Sequence, residues 1–82
     1  MKDLIKIINA NSDFEKLKDQ TFENSSLVFE NGIHLLFLNN KKYLLDIKKT
    51  FFLDKKIIIE GIISDDEFFV GKIAFEFFSE NS

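Results

Sequence analysis

Residues 27–47 read Leu-Val-Phe-Glu-Asn-Gly-Ile-His-Leu-Leu-Phe-Leu-Asn-Asn-Lys-Lys-Tyr-Leu-Leu-Asp-Ile, and this stretch decides the fold. Its first two apolar runs are joined by Asn31-Gly32, the strongest short hairpin signal, because a type I′ turn needs positive φ at both central residues. Asn39-Asn40-Lys41-Lys42 has the composition to turn the chain back once more. The stretch therefore predicts an antiparallel meander of three strands. With Asn31-Gly32 as the loop, Glu30 faces Ile33, Val28 faces Leu35 and Leu27 faces Leu36. Side chains alternate between the faces of a strand. One face then carries Leu27, Phe29, His34, Leu36, Leu38, Tyr43, Leu45 and Ile47 and is expected to be core. The other carries Ser26, Val28, Glu30, Ile33, Leu35, Phe37, Leu44 and Asp46 and is expected to be partly covered by another element. Ile33–Leu38 is apolar on both faces apart from His34, as in a central strand.

Upstream, Leu4, Ile7, Ala10, Phe14 and Leu17 recur at steps of three and four, which predicts a helix over residues 2–20. A break at Asn9–Asn11 fits as well, with Ser12 and Glu15 forming a capping box. The apolar stripe is expected to lie on the less apolar face of the sheet, with Phe22 anchoring the exit. Downstream, Lys48-Lys49-Thr50 reads as a turn, Phe51–Leu53 as a very short strand and Asp54-Lys55-Lys56 as another turn. Ile57–Ile63 is a β-branched strand and Phe68–Phe78 the last strand. A loop of Asp65-Asp66-Glu67 puts Ile63 opposite Phe69, Gly61 opposite Gly71, Glu60 opposite Lys72 and Ile59 opposite Ile73. Glycine inside a strand marks a bulge, a bend or a close approach. A straight last strand would span ~36 Å, against a radius of gyration near ~12 Å for a chain of this length. It is therefore expected to curl at Gly71. The reading is an α+β domain. An N-terminal helix, one kinked or two short, packs on an antiparallel sheet of about five strands, strongly bent or closing towards a small barrel.

The 82 residues are expected to form a single domain. There is no Cys, hence no disulfide, thiolate metal site or cysteine nucleophile, and no cofactor is expected. All 11 basic residues are Lys, whereas Arg is the usual choice for bidentate phosphate and base recognition. The net charge is −3, which also disfavours a nucleic-acid partner. Phe, Ile, Lys and Asn all have AT-rich codons, pointing to a phage, mobile element or AT-rich bacterium. The start is too charged for a signal peptide, and no apolar run approaches the ~20 residues of a membrane span. The expected location is cytoplasmic, or host cytoplasm if phage-encoded, with no membrane partner.

His34 is the only imidazole and lies on the core face without Cys or a clear carboxylate partner, as a structural histidine near the sheet rim would. Asp65-Asp66-Glu67 could meet a cation or a basic partner, but lacks calcium-loop spacing and suits a solvated turn. The pairs Lys41-Lys42, Lys48-Lys49 and Lys55-Lys56 could rim a small nucleic-acid-binding barrel with Phe51 and Phe52 as stacking platforms. If each pair decorates a turn, however, successive pairs lie at alternating ends of the sheet. The 11 Phe include adjacent pairs whose members point to opposite faces, so some must be exposed or covered by a partner. Phe68, Phe69, Phe77 and Phe78, with Asp65, Asp66 and Glu67, are the partner-binding candidates. No phosphate loop, catalytic triad or carboxylate pair can be assembled. The expected function is that of a small non-enzymatic protein-binding module occupying a partner surface, of inhibitor, immunity or anti-defence type. A homo-oligomer through exposed Phe is also open. The alternatives are a nucleic-acid-binding barrel using the Lys pairs and, last, a small-molecule-binding barrel or enzyme.

Overall fold

A computed structural model describes residues 2–67 and 69–80, with the side chains of 2, 3, 79 and 80 excepted. The chain is almost entirely sheet. Strands β1 (Lys2–Ala10), β2 (Thr21–Phe22), β3 (Ser25–Glu30), β4 (Ile33–Leu38), β5 (Lys41–Leu53), β6 (Lys56–Ser64) and β7 (Val70–Glu80) form one antiparallel sheet in the order β2-β1-β7-β6-β5-β4-β3. It curls into a half-barrel. The radius of gyration is 11.9 Å.

The expected α+β class is therefore wrong. The predicted N-terminal helix is β1 followed by a 3-10 segment, Ser12–Leu17. The cause lies in one irregularity. β1 pairs with β7 as Ile5↔Phe77 and Ile7↔Phe75, then slips by one residue to Ala10↔Ile73. A β-bulge inserts one residue into a strand. Ile8 is the extra residue, so the inward positions run Ile5, Ile7, Ala10 and mimic the step of three of a helix. The break before Ser12 is real, but the capping box is not. Asn11 occupies the cap position and makes no side-chain cap bond there. Its Oδ1 accepts from the Lys72 N–H at 2.8 Å, extending the β1–β7 ladder.

The meander has the expected register, with Leu27↔Leu36, Val28↔Leu35 and Glu30↔Ile33. Asn31 and Gly32 both have positive φ, 53° and 78°, as a type I′ turn requires. Two further two-residue turns begin with Asn39 (φ 58°) and Asp54 (φ 53°), residue types that tolerate the left-handed region. The core is formed by the concave face, where Leu36, Leu38, Tyr43 and Leu45 meet Ile5, Ile7, Ile59, Ile63, Ile73 and Phe75. Phe14 and Leu17 of the 3-10 segment close one end, Phe14 meeting Tyr43 edge-on with ring centroids 5.9 Å apart. Phe29, expected in the core, is 66% exposed, because the β3–β4 tip overhangs the packed region. The opposite face has no helix over it, and Ile33 and Leu44 stay exposed.

Lys48-Lys49-Thr50 is not a turn. β5 runs unbroken from Lys41 to Leu53, and its pairing with β6 slips by one residue between Ile47↔Gly61 and Lys49↔Glu60. Lys48 is the bulged residue. Gly61 lies opposite, and a Cβ there would run into the Asp46 carbonyl oxygen. At Gly71 a Cβ would lie 2.8 Å from the Asn11 carbonyl oxygen and 2.9 Å from Phe14 Cδ2. Both strand glycines thus permit close approaches, and the curl belongs to the bulges beside them as much as to Gly71.

The β6–β7 register is Ile63↔Gly71, Gly61↔Ile73 and Ile59↔Phe75, two residues from the expectation. The loop is longer because the Asp65 carboxylate organises it, Oδ1 accepting from the Glu67 and Phe69 N–H groups at 3.0 and 3.1 Å. A shift of two leaves each side chain on the face that the expected pairing would give it.

Gly61→Ala should lower unfolding free energy by about 1–3 kcal/mol, because the added carbon has backbone on its far side and nowhere to go. Gly32→Ala meets nothing within 4 Å and only strains a positive φ, so its loss should be smaller, about 1 kcal/mol. Urea unfolding midpoints of the two variants would show the order.

Candidate interaction surface

The bulge at Lys48 determines what the far half of β5 presents. Past it, the face that each side chain takes is reversed, so Phe51 and Leu53 point to the convex side with their partners Ile58 and Lys56. β7 and β1 add Phe78 and Leu4, which pair directly. Phe51 (44% exposed), Leu53 (52%), Ile58, Phe78 and Leu4 thus share the convex face across four strands, with Lys56 and Glu76 set among them. Phe52, on the concave side near the hairpin tip, is 78% exposed. Beyond Leu45 β5 has no neighbour on the β4 side, since the β4–β5 pairing ends at His34↔Leu45. The tip therefore projects from the packed body.

Charge runs through this surface as well as around it. Lys49 lies across from Glu60, and Lys6 across from Glu76. Lys56 Nζ is 3.4 Å from Glu76 Oε1, and both line an open hollow of about 470 Å³ with Asp54, Lys55 and Phe78. Lys48 Nζ lies 2.9 Å from Asp46 Oδ2. Lys48 also lines a second hollow of about 420 Å³, with Asn9, Glu60 and Lys72 around a floor of Gly61 and Ala74. Both hollows mix charges of both signs. Among the described residues no group of three or more His, Asp or Glu side chains is placed to hold a metal ion. The half-buried His34 ring instead stacks obliquely on Phe29, with centroids 4.7 Å apart.

The predicted partner-binding residues do not come together. Phe69 is exposed in the β6–β7 loop, whereas Phe77 and Phe78 lie at the far end of β7, roughly 26 Å away at ~3.3 Å per residue. Phe77 packs against the core and Phe78 is half-buried on the convex face. Phe68 lies outside the described residues. Asp65 holds its own loop together, while Asp66 and Glu67 are exposed beside it. Of the Lys pairs, Lys41-Lys42 opens β5, where the Lys41 ammonium sits over the Tyr43 ring at 5.4 Å. Lys48-Lys49 and Lys55-Lys56 flank Phe51, Phe52 and Leu53 on the β5–β6 hairpin. The structure thus unites two of the three pairs, because the supposed turn between them is continuous strand. The sequence signal for this surface was the run Lys-Lys-Thr-Phe-Phe-Leu-Asp-Lys-Lys, once residues 48–50 are read as a bulge and not as a turn. No helix among the described residues is long and apolar enough to cross a membrane.

Asp65→Ala should cost about 1–2 kcal/mol of stability through two lost N–H acceptor contacts. Asp66→Ala should cost less than about 0.5 kcal/mol, as an exposed substitution. Thermal melts of the pair would separate an organised turn from a merely solvated one. No protein family, curated protein or solved structure matches the chain.

Proposed function

We propose that the chain is a non-enzymatic protein-binding module whose working surface is the far half of the β5–β6 hairpin with the adjoining ends of β7 and β1. The reading rests on one observation: Phe51 and Leu53 are exposed together on the convex side of a projecting hairpin, beside the half-buried Ile58, Phe78 and Leu4, while Phe52 is exposed on its other side. Exposed aromatic anchors within a charged rim are the composition of an interaction hot spot, where a few buried side chains carry most of the affinity. A module of this kind acts by filling a partner's surface, in the manner of an inhibitor, immunity or anti-defence protein.

A second reading has its own support. Lys48, Lys49, Lys55 and Lys56 stand on the same hairpin as Phe51 and Phe52, so basic and stacking groups adjoin as single-stranded nucleic acid requires. The net charge of −3 and the ion pairs of Lys48 and Lys56 weigh against it.

Tagged protein exposed to a lysate of its native host, with and without nuclease, tests both. Under the first reading one protein is retained after nuclease, and Phe51→Asp or Phe52→Asp weakens its capture at least roughly 30-fold, the scale of a hot-spot residue. Phe69→Asp leaves capture unchanged. Unaltered capture by both hairpin variants would sink the reading. Phe77→Asp is no substitute, because Phe77 supports the core. Under the second reading retention vanishes with nuclease. Affinity for single strands then falls with salt at a logarithmic slope near about −3, four phosphate contacts at ~0.7 each.

A further inference from the structure

An open sheet has to manage its edges, because unpaired backbone groups invite another strand. This sheet treats its edges differently. β1 is covered: β2 pairs with it at Ile5 and Lys6, and Ile7 exchanges backbone hydrogen bonds with Gln20 and Asp19, both at 2.9 Å. The part of β5 beyond Leu45 carries a bulge, Lys48 and Lys49, devices that discourage pairing. β3 has none of these. Its centre, Leu27-Val28-Phe29, has β4 as its one paired strand among the described residues, and no Pro, Lys or bulge interrupts it. β1 comes close to it across the seam, with no backbone hydrogen bond between the two strands among the described residues.

The turn fixes which groups β3 offers. In a two-residue type I′ hairpin the residues flanking the loop form a hydrogen-bonded pair, and bonded and non-bonded pairs then alternate. Glu30↔Ile33 and Val28↔Leu35 are therefore bonded pairs, while Phe29 and Leu27 point their N–H and C=O groups away from β4. An antiparallel copy of the same strand, related by a two-fold axis at Val28, places Leu27 opposite the second copy's Phe29 and Phe29 opposite its Leu27. Both are then hydrogen-bonded pairs, giving four backbone bonds. Val28 meets Val28 on the convex face, and Glu30 meets Ser26, so no like charges oppose. The half-buried Leu27 would cover Phe29, which is 66% exposed in the single chain.

We infer that the chain forms a two-fold symmetric dimer by pairing β3 with β3 of a second copy, centred on Val28. This pairing uses no residue of the hairpin surface and stands independently of the function proposed for it.

The native sequence has no cysteine, so a single thiol reports without background. At the two-fold axis the Val28 Cα atoms form a non-hydrogen-bonded pair about 4.5 Å apart, within reach of a disulfide. Under mild oxidation Val28→Cys should link into dimers at least ~10-fold faster than Leu35→Cys, the neighbouring convex-face position, because pairing raises the effective thiol concentration. By light scattering at high micromolar concentration the native chain should have twice the mass of one chain. Phe29→Pro removes an N–H that β4 does not use, so it should keep the fold by circular dichroism while raising the dimer dissociation constant at least roughly tenfold. Phe51→Asp should leave the dimer intact. A native chain of single mass overturns the inference. So does equal linking at positions 28 and 35, or a dimer that survives Phe29→Pro but is lost in Phe51→Asp, which would move self-association to the hairpin.

Discussion

One inserted residue, Lys48, governs the architecture. Its bulge lets β5 bend over β6, and the bend brings the Asp46 carbonyl so close to Gly61 that no side chain fits there. A second bulge at Ile8 bends β1 over β7 in the same way, beside the close contact of Gly71 with the 3-10 segment. Bulges increase local twist and bend the strand that carries them. Two of them in one seven-stranded sheet turn a meander into a half-barrel whose concave side can be filled by single side chains. Phe75, Ile5, Ile7, Leu36 and Ile63 lie fully buried in that trough.

The same irregularities separate what was legible in the sequence from what was not. Pairing of β3 with β4 could be read residue by residue, because Asn31-Gly32 fixes the loop and alternation fixes the faces, whereas Lys41 and Lys42 were read as turn and belong to β5. β1 could not, because its bulge spaces the inward residues as a helix would. β5 looked like two strands and a turn, since Lys-Lys-Thr has turn-like polarity and a bulge leaves no composition of its own. In β6–β7 the error lay in loop length: Asp65 recruits Phe69 into the turn and moves the register by two residues. The interaction surface was half visible. The excess of Phe implied exposure somewhere, but locating it at Phe51 and Phe52 and not at Phe77 required knowing that β5 is continuous. Phe29 was misassigned because alternation tells which side a residue points to, not whether the core reaches that far.

Burial and exposure in this chain follow a division of labour along the strands. The halves of β5, β6 and β7 beside the 3-10 segment enclose Tyr43, Leu45, Ile63 and Ile73. Their other halves run past β4 and carry the exposed Phe51 and Phe52 and two lysine pairs. Packing and presentation are thereby separated within the same strands. Substitutions on the convex side of the hairpin can change what is presented with little effect on the trough.

The β1–β7 ladder has a consequence for how the chain reaches this state. Leu4 finds its partner in Phe78, nearly the whole sequence away, whereas β3 through β7 each pair with the strand made next or just before. Local pairings close quickly, and distant ones must first overcome a large loop entropy. On a ribosome the five-strand meander can assemble as it emerges, while Ile5, Ile7 and Ile8 wait uncovered for β7 to be synthesised. During that interval the nascent chain carries an unpaired β-branched segment, interrupted by Lys6 and followed by Asn9.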